Sequence, residues 1–516
     1  MDFDYVIVGA GSAGCVLAAR LSEDPNVKVA LIEAGGSDRK LEVRMPAGFA
    51  KLFKTPCDWD YTTTKQSELS GRELYWPRGR MLGGSSSMNA QMWVRGTARD
   101  YDQWGLPGWS YDEVLPYFQR AEGRAGSNEG GLYGTDGPIT ISELRSPSVI
   151  TPAFLAACAE VGLTRLAELN GRTNEGYCTT PVTQLRGHRC SAADAYLRPA
   201  MNRGNLTVLT AAHVHKVLIE DGRAVGVEYG DDLRVTATRE VILSAGAIGS
   251  PQLLMLSGVG DPDVLAADLI DVVRASPQVG ANLMDHLATG VLLHCPQPIT
   301  LSGAETLPNL LNFLFRRRGM LTTNVAEAVA FIRTSPDEPA PDIELIFAPG
   351  LFIDHGLTPP SGHGITVAAI LLQPESRGRI TIRDGKAVID PAYLTAEADL
   401  HRLVAGLKVA KQISSAAALR PFAGGPMDPY WGPETDEELA RWVRERAETL
   451  YHPVGTCRMG DDEDSVVDPE LRVRGVAGLR VVDASVMPTL TRGHIHAPTI
   501  MIAEKAADLL KAASWA

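Results

Sequence analysis

The sequence predicts an α/β fold with an α+β second lobe, and three observations lead there. The segment DYVIVGAGSAG (4–14) runs from an apolar stretch, Tyr5 to Val8, through Gly9, Gly11, Ser12, Ala13 and Gly14 into an Ala- and Leu-rich segment, the pattern of strand, tight turn and helix. A second apolar run, Val27 to Ile32, ends on Glu33 and Ala34. Related patterns recur far along the chain: VILSAGAIGSPQLLMLSGVG at 241–260 and a C-terminal unit at 478–512. One sheet must therefore be assembled from discontinuous segments.

Taken in order, the first unit reads as a Rossmann-like dinucleotide site. Glycines without side chains let the backbone approach a pyrophosphate, whose charge meets the free N–H groups and positive dipole end of the following helix. Glu33, nineteen positions beyond Gly14, is spaced to accept hydrogen bonds from an adenosine ribose. This pattern fits NAD and FAD alike. The stretch GRMLGGSSSMNAQMWVRGTARDYD (79–102) adds a second glycine loop, where Gly84 and Ser85 begin a run of amides and hydroxyls able to follow a second phosphate or a ring edge. Two glycine loops at this separation favour a flavin; the second loop alone reads equally well as a solvated linker.

The stretch NLTVLTAAHVHKVLIEDGRAVGVEY (205–229) has two apolar runs about a polar turn at Asp221 and Gly222, a hairpin pattern. Residues 291–440 differ in texture, with Pro-rich connectors, short strands such as GRITIRD and a helical stretch from Thr395 to Leu419, which suits a sheet covered by helices. The basic run Arg316 to Arg318 follows the apolar stretch Leu310 to Phe315; it is read as a solvated helix end with a buried apolar face rather than a membrane-surface helix.

Bulk properties exclude other classes. A net charge of −13 over 516 residues opposes a nucleic-acid groove, which needs clustered Lys and Arg. Seven scattered cysteines without a CxxC pair indicate neither a disulfide framework nor a zinc site, and no metal is expected. No run reaches bilayer length, and the first strand leaves no room for a signal sequence. The expected setting is cytoplasmic, with oligomeric state open.

Segments 79–102 and 246–260 (GAIGSPQLLMLSGVG) resemble the two signature patterns of the glucose-methanol-choline (GMC) oxidoreductases. YHPVGTCRMG at 451–460 resembles the family's catalytic-histidine segment, and the stretch from Gly478 to Leu510 resembles its C-terminal flavin-closing unit. The resemblance implies an FAD-binding domain from residues 1–120, 195–290 and 440–516, and a substrate-binding domain from 121–194 and 291–439. It implies FAD held by the first glycine turn and by Asn89, Ala90 and Met92 behind the isoalloxazine, Val214 at the adenine edge, and Asp483, with Ala484 at the end of the same strand, near the ribityl chain or pyrophosphate; Pro498 and Thr499 begin the helix after His496, whose positive end can stabilise charge at flavin N1 and C2=O. Val214 also reads as a strand core residue, Asn89 as a turn residue and Asp483 as a turn cap. Some relatives bond the flavin to a histidine at the position of Met88, so non-covalent FAD is expected.

The implied reaction is oxidation of a primary or activated alcohol to the aldehyde. A base takes the hydroxyl proton, a hydride goes to flavin N5, and the electrons pass to O2 or a quinone or dye-type acceptor. His452 and His496 are the expected catalytic pair, a neutral imidazole being suited to accept the proton. His494, where choline-like members often carry Asn, is open between an extra active-site group and a structural role, and it weakens a choline reading. Glu327 is open between facing the cavity and a structural carboxylate. A hydroxynitrile lyase-type enzyme on the same fold is the alternative function, and a nicotinamide-linked dehydrogenase is disfavoured by the two glycine loops.

Overall fold

The computed structural model describes residues 2–126, 128, 131–359 and 361–513. Along the chain its principal elements are β1 (Asp2–Val8), α1 (Ser12–Leu21), β2 (Val29–Ile32), β3 (Gly176–Thr179), β4 (Leu206–Leu209), β5 (Val214–Glu220), β6 (Arg223–Tyr229), β7 (Leu233–Leu243), α2 (Gly246–Leu256), β8 (Leu287–His294), β9 (Ala328–Ile332), β10 (Ile343–Ala348), β11 (Gly364–Leu371), α3 (Glu397–Ser415), β12 (Glu448–Thr449), β13 (Leu479–Val481) and α4 (His496–Ala513).

The first sheet runs β4-β2-β1-β7-β6-β5, with β13 also paired to β7. Its centre is parallel: β1 pairs with β2 and β7, β2 with β4, and β7 with β13. Strands covered on both faces read as unbroken apolar runs, and β2, with sequence VALI, is buried at every position. Three distant stretches of chain thus meet in one sheet. The expected hairpin is β5 and β6, antiparallel about Asp221 and Gly222. Its apolar lead-in splits off as β4, which pairs parallel to β2.

The first turn leaves no room for side chains. A Cβ on Gly14 would lie 1.9 Å from the Gly9 carbonyl oxygen, and one on Gly9, whose φ is +98°, would lie 2.5 Å from the Ser244 oxygen. Gly84 of the second loop, with φ of +52°, packs its backbone against Gly11 so closely that a Cβ would meet the Gly11 Cα at 2.8 Å. The two glycine loops are therefore one structure. Helix α4 packs against α1, and both helices are rich in small buried residues, among them Ala13, Ala18, Ala503 and Ala507.

The second sheet, β12-β8-β11-β10-β9-β3, is antiparallel throughout, and α3 covers one face. Alternation along β10 puts Glu344, Ile346 and Ala348 on the opposite face. This sheet draws β12 from beyond residue 440.

The apolar face beside Arg316–Arg318 is not buried as expected. Leu307, Leu311, Leu314 and Phe315 are exposed, while Phe313 is buried in a small cluster with Met45 and Leu321. A helical segment so short, lying at the rim of the molecule, has only one side against the body of the protein. All seven cysteines are buried free thiols. No helix among the described residues is long and apolar enough to cross a membrane.

Substituting Gly14→Ala forces the turn open against the Gly9 carbonyl. The expected cost is about 3 kcal/mol or more, read as a lower urea midpoint of the purified protein.

Candidate active site

A cavity of about 460 Å³ lies between the two sheets. At one end it is lined by Gly9, Gly11, Ser12 and Ala13 of the first turn, Glu33 and Ala34 after β2, and Gly84 and Ser85 of the second loop. Asn89, Ala90 and Met92, with Val214, Asp483, Ala484 and Thr499, complete this wall. Gly14 and Pro498 stand behind it, Gly14 against Gly9 and Pro498 buried in the first turn of α4.

Three helices begin at this cavity. Ser12 opens α1, Gly246 opens α2 and His496 opens α4, and neither Gly11 nor Ala245, the residues capping α1 and α2, supplies a side-chain cap. The uncapped start of α1 presents N–H groups and its positive dipole end to this space, while the Gly246 N–H at the start of α2 is taken by Asp483. At Gly11 an added Cβ would find its nearest neighbour at 3.9 Å, and at Gly246 nothing within 4 Å, so the backbone there is open to a ligand.

Glu33 accepts from the Ala10 N–H at 2.9 Å and the Gly35 N–H at 2.8 Å; it shapes the turn as well as lining the cavity. Burial pushes its pKa up, and these two N–H groups act against that. Asp483 accepts from the Ser485 N–H at 2.8 Å, which is the expected cap, and also from the Gly246 N–H at 2.8 Å and the Ser250 hydroxyl at 2.5 Å. Asn89 is anchored as a turn residue, its Oδ1 accepting from the Gln91 N–H and from Arg189. Arg189, which sequence reasoning missed, is buried and braces the serine loop through the Ser86 and Asn89 carbonyls. Burial lowers its pKa to about 9. Trp59 and Tyr61, also missed, stack at 5.8 Å on the cavity wall that holds Val214.

The imidazoles lie toward the second sheet. His452 Nδ1 is 2.9 Å from His286 Nδ1, and His286 Nε2 is 3.1 Å from the Leu372 carbonyl. A carbonyl only accepts, so His286 carries its proton on Nε2. Burial holds His286 neutral, its pKa lowered to about 3, so its Nδ1 is an acceptor and His452 donates from Nδ1. His452 Nε2 is left as a free lone pair. The pKa of His452 is itself lowered, first by burial and then by His494, His286 and Arg78. Asp285 fixes the backbone, accepting from the His452 N–H at 2.5 Å and the Thr449 hydroxyl at 2.6 Å. Tyr451 precedes His452 with φ of +67°, a conformation that costs a non-glycine residue about 1 kcal/mol or more.

The ring beside His452 belongs to His494, at a centroid distance of 4.8 Å and nearly perpendicular. His496, the expected partner, makes its ring contacts elsewhere. His496 is the first residue of α4, and its ring is turned to the start of α1, with Nδ1 3.1 Å from Ser12 Oγ and its edge against Trp93. Its Nε2 is buried without a partner, and burial lowers its pKa to about 4. His494, just before the helix, is held by the buried Glu344 carboxylate at 3.1 Å. A legible signal existed: Glu344 interrupts the apolar strand IELIFA, and such a carboxylate demands a buried partner. Glu327 is structural. It is buried away from the cavity lining and accepts from the Ser148 N–H and the Thr151 and Thr323 hydroxyls.

Residues 3–288 and 374–503 match the two GMC oxidoreductase family profiles. The chain belongs to the GMC oxidoreductase family. It is similar to a GMC-type oxidoreductase of Mycobacterium tuberculosis strain H37Rv, 52% identical over 98% of this chain and 99% of the relative. It is also similar to the mitochondrial choline dehydrogenase of Homo sapiens, 43% identical over 99% of this chain and 90% of the relative. Among solved structures, pyridoxine 4-oxidase from Mesorbium loti superposes with a TM-score of 0.89 at 34% identity, covering 98% of each chain. GMC oxidoreductases bind FAD, and the residues of this GMC protein fit that group: the uncapped start of α1, and backbone at Gly11 and Gly246 that opens on the cavity.

The buried imidazoles predict a pH effect of defined sign. A histidine whose folded pKa lies below its ordinary value of 6.5 binds fewer protons folded than unfolded, so its stabilising contribution is complete above 6.5 and declines as pH falls toward the folded value. For His496 that window runs from 6.5 to about 4. Burial of Glu33, Asp285 and Asp483 raises their pKa values and acts in the opposite sense, so the readout is a difference. Between about pH 6 and 4.5, the unfolding free energy of the wild type is expected to fall more steeply than that of His496→Gln. The expected difference is about 1.4 kcal/mol per pH unit, measured by urea unfolding.

Proposed function

We propose that this protein oxidises a primary or otherwise activated alcohol to the aldehyde, with His452 as the base. The observation that carries the reading is the chain from the Leu372 carbonyl through His286 to His452, which leaves Nε2 of His452 unprotonated on the cavity side of a neutral ring. When bound, FAD supplies the acceptor for the hydride and hence the two-electron oxidising power.

His452 Nε2 takes the hydroxyl proton as the C–H bond breaks. His494 spends its Nε2–H on Glu344, which leaves Nδ1 to meet the substrate oxygen. Fixed in this way by Glu344, His494 orients the substrate hydroxyl toward the His452 base. Asp285 and the strained Tyr451 backbone hold the base in register. The wall beyond the imidazoles is made by Phe49, Phe53, Phe352, Val325 and Ile346, which supports an alcohol with an apolar body. With Glu327 tied into its own hydroxyl cage, it offers no carboxylate for a quaternary ammonium. The electrons pass on to O2 or a quinone-type acceptor, which parallel assays with oxygen and with a dye distinguish.

Anaerobic mixing with an aromatic or medium-chain primary alcohol is expected to bleach the flavin. His452→Ala slows bleaching about 10²- to 10⁴-fold with FAD retained. His494→Ala falls in the same range, whereas His496→Asn costs less than about tenfold. Equal losses for His494→Ala and His496→Asn would overturn the assignment of the pair, and an unbleached flavin across a broad alcohol panel would overturn the reaction.

The FAD is held without a covalent bond. Met88 is a buried thioether packed with Phe49, Phe53 and Met81, and it lacks the ring nitrogen of a histidyl link. Precipitation with trichloroacetic acid is expected to release all the yellow colour to the supernatant; colour retained in the pellet contradicts this.

A further inference from the structure

The segment Leu307 to Arg316, one helical turn pattern widening at its end, is unlike the rest of the surface. Leu307 is 67% exposed, Leu311 43%, Leu314 47% and Phe315 81%. Four of the twelve large apolar side chains exposed among the described residues thus fall within nine positions. They recur at i, i+4, i+7 and i+8, the spacing of one helix face. The opposite side is satisfied: Phe313 is buried with Met45, Ala304 and Leu321, and Leu310 packs on the same cluster.

The apolar face ends in Arg316, Arg317 and Arg318, all exposed. Between 301 and 318 the one acidic residue is Glu305, and Lys51 engages it at 2.8 Å. More basic groups flank the helix. Gly187, in the hairpin carrying exposed Arg186, backs onto the Arg317 carbonyl. His188 touches Phe313, and its pKa is lowered by burial and then by Arg317 and Arg44. On a chain of net charge −13 this is a local basic rim around an apolar ridge.

We infer that the Leu307–Arg318 segment docks the protein onto an anionic lipid surface, the exposed Leu and Phe side chains entering the interface and the arginines meeting the headgroups. Apolar insertion joined to a basic cluster is the pairing of signals that interfacial binding requires. A second copy of the chain fits the patch less well, because a two-fold contact offers the arginines only this patch's own groups, whose one carboxylate, Glu305, is already engaged by Lys51. Phe313 and Met45 pack this helix on the Pro46–Leu52 segment, whose Phe49 lines the cavity. Docking therefore sets one wall of the cavity next to the bilayer. The inference is independent of the reaction proposed above.

The test is co-sedimentation of the holoenzyme with vesicles of phosphatidylcholine alone, or with about one-third phosphatidylglycerol. Wild type is expected to bind the anionic vesicles about tenfold or more tightly than the neutral ones, with binding weakened by salt. The double variant Arg316→Gln, Arg318→Gln loses about 25-fold on anionic vesicles. Leu311→Ser with Phe315→Ser loses about tenfold or more, while dye reduction with a soluble alcohol stays unchanged in both. Absence of wild-type binding to either vesicle, or binding unaltered in both variants, overturns the proposal. So does conversion of a dimer to a monomer by the Leu311, Phe315 variant without change in vesicle binding, which would identify the patch as a contact between copies.

Discussion

The carboxylate of Asp483 is the tie on which the site depends. Buried, it accepts hydrogen bonds from the Gly246 N–H, the Ser250 hydroxyl and the Ser485 N–H, so it fastens the end of β13 to the start of α2. From that junction the chain runs through 484–495 into α4, which returns to pack on α1. The third segment is held besides by the three-residue pairing of β13 on β7, by the ion pairs Arg480–Glu240 and Arg492–Asp100, and by its helix packing. Asp483 is one of several buried carboxylates that order the stretch carrying His494 and His496, with Asp100 on Arg492 and Glu344 on His494; such a group is costly to bury and becomes stabilising only when its acceptor positions are used.

The same economy of buried polar groups governs the imidazoles. His452, His494 and His496 are each fixed by a different partner: a backbone carbonyl through His286 for His452, a carboxylate for His494, and a hydroxyl at the start of α1 for His496. These partners decide which nitrogen is free. A carbonyl acceptor two bonds removed sets the tautomer of His452, and desolvation keeps the relay neutral, so a lone pair is available without any need for a high solution pH. The two lobes divide the labour: the parallel sheet supplies helix ends and open backbone suited to phosphates, and the antiparallel sheet supplies Glu344 and the apolar wall.

Much of this was legible in the chain. Gly9, Gly11, Gly14 and Glu33 announce their turn because local sterics and helix termini act over a few residues, and the assembly of one sheet from three segments follows from recurrent strand, turn and helix patterns. The serine loop could be assigned a cofactor role but not its intimate contact with the first turn, since nothing local to Gly84 encodes the approach of Gly11. His452 was visible from its segment. Its partner was not: His494 and His496 are two positions apart, and the choice between them rests on where α4 begins and on Glu344, 150 residues distant.

The amino-acid sequence by itself determined the fold class and the glycine turns, because strand, turn and helix patterns are written in spacing and composition within a short window, whereas the imidazoles were placed near the cofactor only through the resemblance to the GMC family. Only the tertiary structure decided which imidazole faces His452, that Glu327 serves structure, that Asp285 and His286 support the base, and that the apolar face beside Arg316 is turned outward. Those outcomes depend on the direction of side chains brought together from distant segments, and direction is set by packing and by the pairing of buried polar groups rather than by periodicity.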